Sequence, residues 1–274
     1  MFPGLRGLMQ TNASRGLVSF VWSVSVRVVL GGSLEWGVAY LDAVFELLGV
    51  APEPLPPSAR LAIERRVGVA LPEAFAELVL TDAWPGTLLF GSDDQPVPRE
   101  ELLSVAIGPS ATTGASLLPF LWENQGVCTW AIPLHEGPDP RVLIEVEWMP
   151  GWQLACATFS TWLSCRVQDG RMDERIVYAA QAPPISSEML AALREVFTEA
   201  PRTYGFPGHT TYRLRGDATD LLLWAAEDQC DWWIAPHGDP AAALRSIPRV
   251  ESIASALFTL RPEGEPALKR LRAE

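Results

Sequence analysis

The chain reads as a segregated α+β protein, and three observations predict it. Helix-like and strand-like segments come in blocks, helices, strands, helix, strands, helix, without the regular alternation of a parallel doubly wound sheet. The strand-like runs are short and separated by Gly, Pro and Asp clusters, which is how antiparallel strands and their turns look. Of the 274 residues, 48% are apolar and eleven are Trp, a supply of large rigid surface that fills a folded core.

Along the chain, "LVSFVWSVSVRVVLGG" (17–32) alternates Val with Ser and Arg and reads as a half-buried strand in an N-terminal extension, 1–32. It resembles a signal-peptide core, but Arg27 interrupts it and the apolar run is too short to span a membrane. Ser33 is placed to cap a helix with Leu34, Val38, Leu41, Phe45 and Leu48 inward and Gly49 as its stop. After the Pro-rich "APEPLPPSAR", a second helix is expected over 58–66, ended near Gly68, and Pro72 opens a third whose face is Leu71, Phe75, Leu78 and Val79. The runs "TLLF", "VAI", "FLW", "VCTWAI" and "VLIEVEW" then predict strands. "TFSTWLSCRVQDG" predicts a helix with Phe159, Trp162, Leu163 and Val167 inward and its end at Asp169-Gly170.

"AQAPPISS" reads as a joint, so the first domain is expected to run from 33 to 170 and an α+β extension from 171 to 274. That extension holds a helix over 188–200 with Met189, Leu193, Val196 and Phe197 inward. A meander of "TTYRLRG", "DLLLWAA" and "CDWWIAP" follows, then a short helix opened by Asp239 and Pro240.

The formal charge of -12 argues against direct nucleic-acid binding, which draws on Lys and Arg to displace counterions, and favours encounter with a basic partner. Cys128, Cys156, Cys165 and Cys230 lack the Cys-x-x-Cys spacing of metal or redox pairs and lie among apolar neighbours, as buried thiols in a reducing cytoplasm would. His135, His209 and His237 show no ligand spacing, so no metal is expected. Phosphate-cradle, dinucleotide and nucleophile-elbow motifs are absent, so neither a cofactor nor catalysis is expected. Asp93-Asp94 reads as a turn and Glu145 with Glu147 as a solvated strand face. The enzyme reading left open is a small-molecule hydrolase or transferase using dispersed carboxylates with His209 or His237, marked by a deep pocket where a His meets a carboxylate and dropped if the three histidines are exposed and mutually distant.

The stretch of most interest is "PFLWENQGVCTWAIPL" (119–134): Trp122 and Trp130 frame the polar quartet Glu123, Asn124, Gln125 and Gly126. The quartet reads as a hairpin turn that either satisfies local backbone groups or presents acceptors to a partner. "LWAAEDQCDWWIAP" from Leu223 echoes it, with Cys-x-Trp-x-Ile before a Pro and an acidic group, Glu227, Asp228 and Asp231. Independent hairpins of similar composition account for that echo more simply than a duplication does.

"VGVALPEAFAELVL" and "FLWENQGVCTWAI", with "DPRVLIEVEW" and the helix at 159–163 following in order, resemble the SUKH superfamily, the cell-wall-assembly-regulator-like group, over about residues 53–170. That resemblance implies a curved, mostly antiparallel sheet with helices packed on one side. It also implies a non-catalytic protein-binding role, in bacterial members as immunity proteins that neutralise toxins, often nucleases, and in others as interaction scaffolds. "TDAWPGTLLFG" departs from the family's Asn-Gly after the Leu-Pro helix. The expectation is therefore a cytoplasmic protein that binds a basic toxin domain, with Trp122, Glu123, Asn124, Gln125, Trp130, Glu227, Asp228 and Asp231 at or near the contact, and no membrane or nucleic-acid partner.

Overall fold

The computed structural model describes residues 40–84, 86–88, 92–102, 116–205 and 209–273. The strand expected over 17–32, the Ser33 cap and the "VAI" strand lie outside the described residues. Residues 38–274 cluster as one compact unit.

Helices α1 (Asp42–Leu48), α2 (Pro57–Val67) and α3 (Glu73–Val79) come first. α2 opens on Pro57, where the missing N–H costs nothing, and stops at Gly68, whose φ of 80° continues the chain in a left-handed turn. α1 has no cap of its own. Glu77 of α3 supplies one, its carboxylate accepting hydrogen bonds from the Tyr40 and Leu41 N–H groups at 3.1 and 2.9 Å. At the other end of α3, Arg99 donates to the carbonyls of Val79 and Thr81, each at 2.7 Å. The expected face of α3 is buried, Leu71, Phe75, Leu78 and Val79 alike.

Five strands form the first sheet in chain order: β1 (Gln95–Pro96), β2 (Leu117–Trp122), β3 (Cys128–Pro133), β4 (Val142–Val146) and β5 (Met149–Cys156). Every pairing in it is antiparallel. The described part of the expected "TLLF" strand, Thr87 and Leu88, is a turn instead, and its Leu88 is fully buried.

α4 (Phe159–Asp173) crosses from this sheet to the next. Thr158 caps it, and Asp139 accepts from both the N–H and the hydroxyl of Ser160. Its expected inward residues are buried, and Phe159 and Trp162 pack edge-on against Phe120, with centroids 5.5 and 5.2 Å apart. The expected end at Asp169-Gly170, and with it the domain boundary at 170, falls inside this helix. A mid-helix glycine costs about 1 kcal/mol; pairing of Asp169 with Arg213 and burial of Met172 on the next turn outweigh it.

The remainder builds a second antiparallel sheet of seven strands, ordered β12-β6-β11-β10-β9-β7 with β8 paired to β9. These are β6 (Tyr178–Ala182), β7 (Thr198–Glu199), β8 (Thr203–Gly205), β9 (His209–Arg215), β10 (Thr219–Ala225), β11 (Cys230–Pro236) and β12 (Leu257–Thr259). α5 (Ser187–Val196), α6 (Pro240–Ser246) and α7 (Glu265–Leu271) accompany it. α5 ends four residues before the expected Ala200, because Phe197 turns extended and the chain pairs as β7; Val196 is 54% exposed, not inward.

The fold is thus mixed α+β, as expected, with two antiparallel sheets and two main apolar cores, the second sheet built by the C-terminal extension. α4 belongs to both. Phe159 to Val167 fill the first core, while Met172 and Ile176 just beyond its end pack on Leu222, Ala235 and Trp233 of the second sheet.

Candidate functional site

The eight residues singled out divide between two hairpins of different sheets. Among the described residues no hydrogen bond, ion pair or ring contact joins the β2–β3 hairpin to β10–β11. In the first hairpin the quartet is a turn that serves itself. The carboxylate of Glu123 accepts from the backbone of Gln125 at 2.8 Å and of Val127 at 3.3 Å, and Gly126 takes a φ of 77°. Asn124 and Gln125 are exposed, whereas Trp122 and Trp130 pack against the first core, Trp130 near Trp162. The polar turn thus fits the local backbone role.

The echo between the hairpins extends to their pairing. Leu121 opposes Trp130 and Trp122 opposes Thr129; in the second hairpin Leu223 opposes Trp232 and Trp224 opposes Asp231, the same register at matching positions. Cys128 and Cys230 are both buried in their cores, and burial pushes both thiols up to about 12, which removes them as nucleophiles.

The outer faces differ. Ala131 is fully buried in a small cluster with Leu117 and Leu143. Its counterpart Trp233 is half-buried, and its ring meets that of Trp224 at 4.5 Å and 61°. Trp224 is 39% exposed, as is Phe258, which shares this face across β6 through the Trp233, Ala179 and Phe258 row. Beside them lie Asp231 and Gln181, directly opposite each other, and Glu227 and Asp228 project at the adjoining turn. Burial pushes the Asp231 carboxyl up, against a hydrogen bond from Gln181 and the nearby His209. The result is an exposed aromatic patch with a partly desolvated carboxylate at its edge. Trp224 and Trp233 are not among the eight residues the sequence singles out, because both hairpins carry Trp and only the packing over each face decides which is exposed.

The opposite end of the same sheet face holds a cleft of about 400 Å³ against the C-terminal end of α4. In it Arg213 donates to both oxygens of Asp169 at 2.6 and 2.5 Å, and also to Thr203 at 3.0 Å. Burial pushes the Asp169 carboxyl up, while the guanidinium, disfavoured by burial, is carried up by the Asp169 carboxylate; the bidentate geometry holds the pair ionised. Asp220 accepts from Arg175 at 2.8 Å and from His237 at 3.0 Å.

A histidine and a carboxylate therefore do converge, one part of the mark set for the enzyme reading, but in an open cleft that no Ser, Thr or Cys lines. His135 is exposed, and His209 has no partner for its buried Nδ1 among the described residues. Asp94 is tied to Arg166 at 2.5 Å, Glu145 is half-buried and Glu147 sits in the β4–β5 turn instead of on the strand. Among the described residues no group of His, Cys, Asp or Glu could hold a metal ion, and no helix is long and apolar enough to cross a membrane.

No family model, curated protein or solved structure matches this chain.

Proposed function

We propose that this protein is a non-catalytic binding module for a basic protein, of the immunity-protein kind that neutralises a toxin domain. The observation that carries the reading is the Trp224–Trp233 pair, solvent-accessible on a sheet face beside Asp231, Glu227 and Asp228. Exposed indoles flanked by carboxylates suit a cationic partner: the rings offer large contact area at low entropic cost, and an Arg or Lys would relieve the partly desolvated Asp231. The net charge of -12 supports fast encounter with such a partner. The toxin class comes from the SUKH resemblance. Four unpaired, buried cysteines suit a cytoplasmic setting.

The test begins with the adjacent reading frames. A neighbouring gene for a secreted protein with a variable, basic C-terminal domain is expected, and co-expression should protect cells from that domain. Trp224→Ala should weaken the purified complex by about thirtyfold or more, the loss of one aromatic anchor, with the thermal midpoint of the free protein unchanged. Equal affinity of parent and Trp224→Ala would remove this face from the interface. Unprotected cells would remove the toxin reading.

A further inference from the structure

We infer that the cleft at the C-terminal end of α4 is a binding site for a phosphate monoester of a small molecule, separate from the aromatic patch and independent of the reading above. Its lining includes four arginines and two aspartates, a formal surplus of two positive charges, in a chain whose total is -12. Such a local inversion focuses an anion where the average surface repels it.

The donors come from three places in the fold. Arg171 lies in the last turn of α4 and Arg175 just past its end, Arg215 closes β9, and His237 follows β11. Some of their capacity is spent. Arg175 and His237 share the carboxylate of Asp220, and Arg171 donates one N–H to the carbonyl of Leu47 at 2.5 Å. Each arginine keeps further N–H groups, since a guanidinium carries five. Arg215 is exposed and its side chain has no hydrogen bond or ion pair among the described residues. Its guanidinium N–H groups are therefore open to a ligand, across the strand pair from Asp220.

A helix C-terminus would ordinarily repel an anion through its free carbonyls. Here a further cation sits just past that end: Arg261 donates to the carbonyl of Glu174, the C-cap residue, and to that of Ile176 beyond it at 2.9 Å. Gln168, on the cleft wall, has its buried Oε1 without a partner, an acceptor suited to a hydroxyl of the ligand and not to its phosphate. A carboxylate is planar and one guanidinium fork satisfies it, whereas a phosphate monoester carries up to two charges and accepts in three dimensions. Donors arriving from a helix end and two strand ends match the second geometry. The volume of about 400 Å³ accommodates a small organic phosphate.

The test is isothermal titration of the full chain, at low ionic strength, with inorganic phosphate, AMP and glycerol 3-phosphate, alongside citrate. We expect one saturable site for at least one monoester. Arg215→Ala should weaken it by about tenfold or more, as loss of a charge-assisted contact does, and since Arg215 has no partner to lose, its thermal midpoint should match the parent's. Trp224→Ala should leave this binding unchanged, which separates it from the protein interface. Lack of saturable binding up to about 10 mM, a ceiling that excludes even millimolar affinity, would overturn the assignment. So would an Arg215→Ala affinity within twofold of the parent, or tighter binding of citrate than of any monoester.

Discussion

The Arg213–Asp169 pair joins α4 to the second sheet, and its removal from one side is the most direct probe of how the two halves of the molecule hold together. The side chains are 9% and 29% exposed, and the guanidinium makes two short bonds to the carboxylate, at 2.6 and 2.5 Å, and one to Thr203. Arg213→Met keeps most of the side-chain volume but strands a mostly buried carboxylate. Breaking a buried pair in this way costs about 3–5 kcal/mol. The residual exposure of Asp169 lets water relieve part of that, which favours the lower end, about 3 kcal/mol.

For a unit of this size each kcal/mol moves the thermal midpoint by about 2–4 °C, so a drop of about 6–12 °C is expected. Urea unfolding followed by tryptophan fluorescence gives the free energy, and calorimetry gives the midpoint. The double variant Asp169→Leu with Arg213→Met removes both charges and should recover at least half of the loss, because the desolvation cost disappears with the attraction. An Arg213→Met protein within about 1 kcal/mol of the parent, a typical surface-pair effect, would refute the reasoning. A double variant no better than the single would do the same.

Gly264→Ala should lower the urea midpoint by the equivalent of about 1–3 kcal/mol, the usual range for an overpacked core, because the added Cβ would lie 2.6 Å from Val177 and 2.8 Å from Tyr178; an unchanged midpoint would mean that wall is loose. Asp231→Asn should raise the thermal midpoint at neutral pH. Burial lifts the Asp231 carboxyl above its ordinary range, so the folded state is penalised for its charge once pH rises through that raised value. The gain should shrink as pH falls toward the ordinary Asp range, and a constant or reversed difference from pH 3 to 7 would contradict it. Native protein at pH 8 should react with a disulfide thiol reagent far more slowly than unfolded protein. All four thiols are buried, and burial lifts Cys128, Cys165 and Cys230 to about 12, 11 and 12.

The elements legible in the sequence are those whose own side chains dictate them. α3 and α4 show three-and-four spacing of large apolar residues, and β9 to β11 show dense Leu, Trp and Ile between turn residues, so propensity and packing agree. β6 was invisible for the opposite reason. Its Tyr-Ala-Ala-Gln-Ala composition is poor in strand formers, and it is extended because β11 and β12 clamp it from both sides. β5 begins Met-Pro-Gly, which reads as a turn, and only its pairing with β4 across two irregularities shows it to be a strand. The cationic cleft was equally hidden. Arg171, Arg215 and His237 are spread over more than sixty residues of sequence, and nothing in their spacing says that the end of α4 meets the end of β9.

The two hairpins show why the choice of binding surface could not come from composition. They share a register and send Cys and Ile of the second strand into a core: Cys128 and Ile132 in one, Cys230 and Ile234 in the other. What separates them is what lies over the opposite face. In the first, a small residue at 131 is fully enclosed with Leu117 and Leu143, and the two tryptophans serve the core. In the second, Trp233 occupies the matching position at the edge of the cluster of Met172, Ile176, Leu222 and Ala235, and beyond that edge its ring and that of Trp224 cover each other. Two indoles that shield one another still leave a face open to solvent. On the proposed reading, that remaining apolar surface and the adjoining carboxylates favour the second hairpin over the first as the contact for a cationic protein.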